Sequence, residues 1–579
     1  MVTNSLNSPS MGNPQYTQFL RIIQREGTAQ KQKRIGIEKK ARKQNMKKMK
    51  KVMALLLSLV MVLAMSVVAF ATEPGSPATS GTYTITINNS KTGHTYEAYQ
   101  IFTGTLSEDT LSDIQWGDGV SDAGQTELKA ASDKAATLTT EAQAAAFAKA
   151  VAPYLQNAHE SNYANDVYTI SGLQAGYYLV KDRNNTLTSA DDCYTAYIMQ
   201  VVRNVTATPK GEKPSVEKKV QENVKTDNTT GGYGDRYNDT ADYNIGDAVP
   251  FKLIGTVPDM SQYAKYKYTF HDTLSNAFDR PITISVYVAS DKAGTDKMPV
   301  TDGFTPNIVV NTDKTVSITV STDDLKTIKY TKGAETETGV QKGQYIIVEY
   351  KAVLNSNARV GQKEPGNTNE VYLTYSNNPN QSGDGAPEEG QTPVDKVIVF
   401  TYELDVNKVD GADRTNLANV TFNLYKKEND VKKYAQVVNG KLAGWTEAEA
   451  GATELKTNTD GLIKVAGLDD GTYYIHEIKP LPGYNSIDDV EIVITANTSN
   501  GQTGKGAVSE LVKIDVTAND VAGVGNAEKG TATVTIANNK GANLPSTGGM
   551  GTTIFYVVGS ILVLGAAILL ITKKRMSAR

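Results

Sequence analysis

Polar and apolar positions alternate along much of this chain, with Gly, Asn and Asp at the breaks. In "YTITIN", Tyr83, Ile85 and Ile87 fall on one side of an extended segment, and in "TATVTIAN", Val534, Ile536 and Asn538 do the same. A period of two between turn-rich breaks predicts half-buried antiparallel strands. One segment follows a different period. "TTEAQAAAFAKAVAPYL" puts Phe147, Val151, Tyr154 and Leu155 on one helical face, behind a Thr and a Glu at its start. The pattern predicts a mainly β chain: three tandem immunoglobulin-like β-sandwich domains, with a helical insertion in the first. Two turn-rich stretches read as linkers, "TATPKGEKPSVEKK" near 206–214 and "SNNPNQSGDGAPEEGQTPVDK" near 376–396. They set expected domains at 72–207, 208–395 and 396–543.

Two runs show no alternation at all. Residues 52–71 are uncharged, follow "KKMKK" and end in Ala69-Phe70-Ala71. This order predicts a secretory signal peptide over 46–71, cut between Ala71 and Thr72. Residues 1–45 form a basic, aperiodic extension, and translation from Met46 or Met49 would leave it out. The second run, Thr553–Thr572, is uncharged and long enough to cross a bilayer. Lys573, Lys574 and Arg575 follow it, which places the tail on the cytoplasmic side and the bulk of the chain outside.

Composition refines this picture. At 579 residues the chain exceeds one core, and three or four domains are expected. The net charge of −4 hides an asymmetry: +11 in the first 51 residues, +4 in the last seven, and −19 over 72–547. That acidity disfavours nucleic acid as a partner. A single cysteine, Cys193, excludes intramolecular disulfides, and a small buried hydrophobe is its plain reading. His94, His159, His271 and His476 are scattered without metal-ligand spacing, and no phosphate-cradling loop is present. Neither a cofactor nor a metal is expected.

Certain polar residues break the rule that apolar faces carry apolar groups. In "LDVNKVDG", Leu404, Val406 and Lys408 share a face; Asn538 follows Val534 and Ile536; Tyr473, Ile475 and Glu477 are in phase. The middle part repeats the theme. Val216, Lys218 and Val220 share a face, as do Tyr268, Phe270 and Asp272, and Asn369, Val371, Leu373 and Tyr375. Asn367 lies in the same phase as Asn369 and is the alternative partner. Lone buried charges are costly. In an apolar pocket, desolvation lowers a lysine pKa and raises a carboxyl pKa. A neutral lysine can then attack an Asn carboxamide carbon, expel ammonia and leave an amide. That is one self-crosslinking event and not enzymatic turnover.

"LPSTG" (Leu544, Pro545, Ser546, Thr547, Gly548), followed by an apolar span and a basic tail, resembles the cell-wall sorting signal of Gram-positive bacteria. "YYIHEIKPLPGY" resembles the E-box of collagen-adhesin B-type domains, and "DVNKVD", "TIANNKGANLPSTGG", "NIGDAVPFKL", "DTLS" and "YLTYSNNP" are similar to segments of the sortase-assembled LPXTG-anchored backbone pilins. The resemblance covers nearly all of 72–579. It implies that a sortase cleaves between Thr547 and Gly548, holding Thr547 as a thioester. It implies isopeptide pairs Lys408–Asn538 with Glu477, and Lys218–Asn369 with Asp272. "SGLQAGYYLVKD" has Asp182 where an E-box acid would sit, but no matching lysine opens that domain, so no bond is expected there. "VTATPKG" offers Lys210 as the lysine that attacks the thioester, with Lys213 as its alternative; Ala207 and Thr208 depart from the family motif. The implied partners are a class C pilin sortase, a housekeeping sortase, a peptidoglycan precursor, identical subunits, minor pilins and a host surface ligand. The implied location is a pilus fixed to the cell wall. A monomeric wall-anchored adhesin or tip pilin would share the signals without needing Lys210. A wall-bound enzyme would need a Ser/His/Asp or Cys/His arrangement, and none is readable.

Overall fold

A computed structural model describes residues 81–138, 140–187, 189–209, 212–223, 237–361, 366–379, 389–498, 511–541 and 551–577. The signal segment 46–71 with its cut at Ala71 and Thr72, the linkage lysine Lys210 and the motif Leu544, Pro545, Ser546, Thr547, Gly548 lie outside the described residues.

Alternation becomes strand pairing throughout. In the first module, Asn162–Ala164, Val167–Leu173, Tyr83–Ile87 and Val205–Ala207 form one sheet in that order. Thr110–Trp116, Tyr96–Ser107, Gly176–Asp182 and Ala196–Val201 form the other, with His159–Glu160 also pairing on Tyr96–Ser107. Ile85 and Ile87 are fully buried, so the period of two marks the core face. The helical segment appears as Glu141–Val151, after shorter helices Asp122–Leu128 and Ala131–Thr137. Its cap is Thr140, whose Oγ1 accepts from the Gln143 N–H at 3.2 Å. Phe147 stacks on Phe102 with ring centroids 5.6 Å apart, which fixes the helical layer to the sheet.

Among the described residues the middle module is built from an eight-stranded and a seven-stranded sheet. Its opening strand, Val216–Gln221, pairs antiparallel with Ala248–Thr256, which in turn pairs with Tyr345–Val353. In the other sheet, Tyr268–Leu274 lies between Val316–Thr322 and Asn367–Ser376. The boundary expected at 395/396 needs correction. Asp395–Phe400 pairs antiparallel with Asn367–Val371 and parallel with Thr240–Asp242, so it is the last strand of the middle module. The turn-rich stretch before it is a connection within that module, and its composition alone does not distinguish the two cases.

The C-terminal module begins at Tyr402 and forms one continuous twelve-stranded sheet among the described residues. Its first strand, Tyr402–Asp410, and its last, Thr531–Asn538, lie side by side in parallel, with Lys408 opposite Ile536 and Asp410 opposite Asn538. Glu477 sits on Gly471–Lys479, between Thr421–Glu428 and Val490–Thr498. The modules also touch. The Ile245 N–H donates to the Gly467 carbonyl at 2.9 Å between middle and C-terminal modules, and the Tyr194 N–H donates to the Asn377 carbonyl at 2.9 Å between first and middle. Gly467 has φ +92°, and a Cβ there would meet Ile245 Cδ1 at 2.5 Å, so only glycine suits this close approach. After the sheet, Gly551–Met576 is a single helix whose Ile554–Met576 part is long and apolar enough to cross a membrane.

Candidate functional site

In the C-terminal module the two adjacent end strands bring an amine against a carboxamide. Lys408 and Asn538 are fully buried, and Glu477 is 5% exposed. The Lys408 ammonium donates to Asn538 Oδ1. Asn538 Nδ2 donates to Glu477 Oε1 at 2.8 Å, and that same oxygen lies 3.7 Å from Lys408 Nζ. The second carboxylate oxygen accepts from the Ile487 N–H at 3.2 Å, which fixes the acid's orientation. The Phe422 ring, 5.4 Å from Lys408 Nζ, supplies the apolar wall. Burial lowers the Lys408 pKa to about 8, with the Glu477 charge working in the opposite direction. Near pH 7 this corresponds to about a tenth of Lys408 in the neutral form. The acid touches the nitrogen that would leave as ammonia and lies near the amine that would attack. It can carry a proton from one to the other.

The middle module buries a comparable group across its two sheets. Lys218 comes from the opening strand of one sheet; Asp272 and Asn369 come from neighbouring strands of the other, where Leu274 pairs with Asn369. All three are 0–1% exposed. Lys218 Nζ donates to Asp272 Oδ2. The hydroxyl of Tyr350 completes the group. It lies 3.3 Å from Lys218 Nζ and 3.0 Å from Asp272 Oδ2, and it accepts from Asn369 Nδ2 at 2.7 Å. Burial pulls Lys218 down and pushes Asp272 up, with the Lys218–Asp272 attraction opposing both. Burial and the neighbouring Asp272 hold Tyr350 well above the usual phenol range, so the hydroxyl keeps its proton.

Asn367 is engaged elsewhere. Its side chain donates to the Arg359 and Val399 carbonyls at 3.0 Å each and accepts from the Arg359 N–H at 2.9 Å. Of the two asparagines, only Asn369 reaches the Lys218 group. Lys219 points away from Lys218, as the alternation requires, yet is also buried, and it pairs with Asp239. Asn369 is not on the module's last strand, which is Asp395–Phe400. The middle group thus joins the first strand to the neighbour of the last.

The first module shows different chemistry. The Asp182 carboxylate accepts from the Thr195 N–H at 2.7 Å and from Thr195 Oγ1 at 2.8 Å, and lies 2.8 Å from His94 Nδ1. His94 Nε2 lies 3.2 Å from Asp192. Burial pulls the imidazole down, but bonds to Asp182 and Asp192 outweigh it and bring His94 to about 9. Cys193 is buried, and burial pushes its thiol up to about 12.

Tyr350 is the residue that sequence reasoning missed. It sits in "YIIVEYKAV", where Ile346, Val348, Tyr350 and Ala352 share a buried face. It therefore reads as core, and only its hydroxyl tip belongs to the polar group.

A family model described as a prealbumin-like fold domain matches residues 402–509, and one described as an LPXTG cell wall anchor motif matches 536–577. The chain is 27% identical over 282 residues to the trypsin-resistant surface T6 protein of Streptococcus pyogenes serotype M6. That match covers 39% of this chain and 48% of the relative, so it spans about half the relative's length. Among solved structures, the T6 backbone pilin of S. pyogenes is similar at 18% identity and TM-score 0.48, over 81% of this chain and all of that one. The major pilin SpaD from Corynebacterium diphtheriae is similar at 15% identity and TM-score 0.42, over 81% and 100%. The chain thus carries a prealbumin-like fold domain over 402–509 and an LPXTG cell wall anchor motif over 536–577, and it is similar to the T6 surface protein over about half of that protein's length.

Proposed function

We propose that this chain is the backbone subunit of a covalently polymerised surface pilus, stiffened from within by two Lys–Asn isopeptide bonds. The observation that carries this reading is the buried contact of Lys408 and Glu477 with Asn538, which ends the strand leading into the anchor motif. A class C pilin sortase would join Thr547 of one subunit to Lys210 of the next. A housekeeping sortase would transfer the finished fibre to a peptidoglycan precursor. Minor pilins and a host surface ligand are the remaining partners. The internal chemistry is single-turnover: Lys408 attacks the Asn538 carboxamide carbon, the C–N bond to the side-chain nitrogen breaks, and ammonia leaves. Glu477 moves the proton, and Asp272 with Tyr350 does so for Lys218 and Asn369.

Two measurements test it. The intact mass of the purified chain should fall short of its sequence mass by two ammonia molecules, and Glu477→Ala should restore one of them. A denaturing gel of wall extracts should show a high-molecular-weight ladder that Lys210→Ala abolishes. An unaltered mass would sink the internal bonds, and a single band indifferent to Lys210→Ala would favour a monomeric wall-anchored adhesin.

A further inference from the structure

Three carboxylates converge where the middle and C-terminal modules meet. Asp242 ends the strand Thr240–Asp242, while Asp469 and Asp470 form the turn between Leu462–Leu468 and Gly471–Lys479. One oxygen from each lies within 4.8 Å of the other two, and the residues are 1%, 3% and 5% exposed. Middle-module side chains hold the turn in place. Asn244 Oδ1 accepts from the Asp469 N–H at 3.2 Å and the Tyr473 hydroxyl at 3.3 Å, and Asn223 Nδ2 donates to Asp469 Oδ2 at 3.0 Å.

Desolvation is the main influence on Asp469, and the nearby charges acting on it most are Asp242, Glu222 and Asp470, all acids. Two lysines line the adjoining cleft, but they face other groups. Lys426 pairs with Glu428 at 2.7 Å beneath the Trp445 ring, and Lys427 lies over the Tyr474 ring. Independently of the cluster's charge, Asp470 Oδ1 is buried without a hydrogen bond of its own among the described residues, although the Ala496 backbone N–H acts on this carboxyl. A buried carboxylate oxygen without a donor is costly, and in native proteins it usually signals an ion or water.

We infer that Asp242, Asp469 and Asp470 form a calcium-class cation site that clamps the middle module to the C-terminal module. The donors are oxygen alone, which suits a hard cation and not zinc or copper. Oxygens grouped within 4.8 Å can share one Ca²⁺, which takes irregular oxygen sets at about 2.3–2.6 Å; Mg²⁺ demands a near-octahedral set. Because the ligands come from both modules, the bound ion would fix the angle between them. Scattered histidines gave no sign of it, since Asp242 and Asp469 are far apart in sequence and only the packed modules bring them together.

The test uses the full-length chain in detergent, stripped with a chelator and titrated calorimetrically with CaCl₂ alone, then with MgCl₂ alone. One Ca²⁺ should bind per chain near neutral pH, and more tightly than Mg²⁺. Asp470→Asn, which keeps the side chain's shape, should weaken Ca²⁺ binding at least about ten-fold. Asp242→Asn, on the other module, should do the same, so a folding defect in one variant leaves the other informative. Absence of Ca²⁺ binding by the wild-type chain at millimolar concentration would overturn the site, with the acids then sharing protons. Unchanged affinity in either folded variant would overturn it too.

Discussion

The C-terminal and middle modules each bury a lysine, an acid and an asparagine, yet they arrange them differently. At Lys408 the amine lies on the carboxamide oxygen and the acid holds the carboxamide nitrogen directly. At Lys218 the amine faces the acid, and the Tyr350 hydroxyl stands between that pair and the Asn369 nitrogen. Asn369 Oδ1 has no donor among the described residues. The strands differ as well. Lys408 and Asn538 lie on adjacent parallel strands of one sheet, whereas Lys218 and Asn369 lie on opposite sheets. The proposed linking would thus rest on two geometries, one with amine, acid and amide in direct contact and one with a hydroxyl between the amide and the other two. In the proposed reaction the C-terminal acid would act alone, and the middle acid would work through the Tyr350 hydroxyl.

That contrast can be broken in several ways, beginning with the largest effect. Glu477→Ala should remove one ammonia loss and leave the middle bond intact. A link closing 130 residues is worth roughly 5 kcal/mol by analogy with a disulfide, so C-terminal melting should drop by about 10–20 °C in calorimetry. Tyr350→Phe should slow the middle bond by about ten- to a hundred-fold and leave the C-terminal bond untouched. Time-resolved mass spectrometry of newly made chain would detect this, and equal rates in both modules would refute the relay. The same measurement across pH should show C-terminal linking accelerating about ten-fold per unit below about 8 and levelling off above it, because only neutral Lys408 attacks.

Asn369→Ala should abolish the middle bond, whereas Asn367→Ala should keep it. The second change frees the Arg359 N–H and carbonyl and should cost about 1–3 kcal/mol in denaturant unfolding. The smallest effect concerns the first module, where the His94 imidazole lies between Asp182 and Asp192. His94 is raised to about 9 from 6.5, so the folded state holds this proton more tightly than the unfolded one. Its stabilisation is complete below about pH 6.5 and is lost as pH climbs through about 9. First-module melting should fall across that window, and His94→Gln should flatten the fall.

Much of the site was legible because strand alternation is rigid. Lys408, Asn538, Glu477, Lys218, Asp272 and Asn369 all sit in phase with buried apolar neighbours, and a period of two leaves only two faces to choose between. The helix Glu141–Val151 was legible through its Thr140 cap and its Phe147 face. Other features were hidden for physical reasons. Tyr350 differs from a core tyrosine only at its hydroxyl. Asn367 and Asn369 share a phase, so only the course of the 359–361 loop separates them. The stretch before Asp395 has the composition of a linker but is bounded by paired strands on both sides. The convergence of Asp242 with Asp469 depends on how two modules pack, which no local period encodes.

The parallel neighbours Tyr402–Asp410 and Thr531–Asn538 carry one more consequence. A pull entering at Tyr402 and leaving beyond Asn538 loads these two strands in shear, and a weld from Lys408 to Asn538 would close the circuit between them. Everything threaded from Val409 to Ala537 then hangs beside the load path. Hairpins such as the one turning at Asn429 and Asp430 could change shape, charge or length from strain to strain while the cable kept its strength. In such a cable the part this module presents to the outside world would be free to vary, because within the module tension would run only along the short segment from Tyr402 to Lys408.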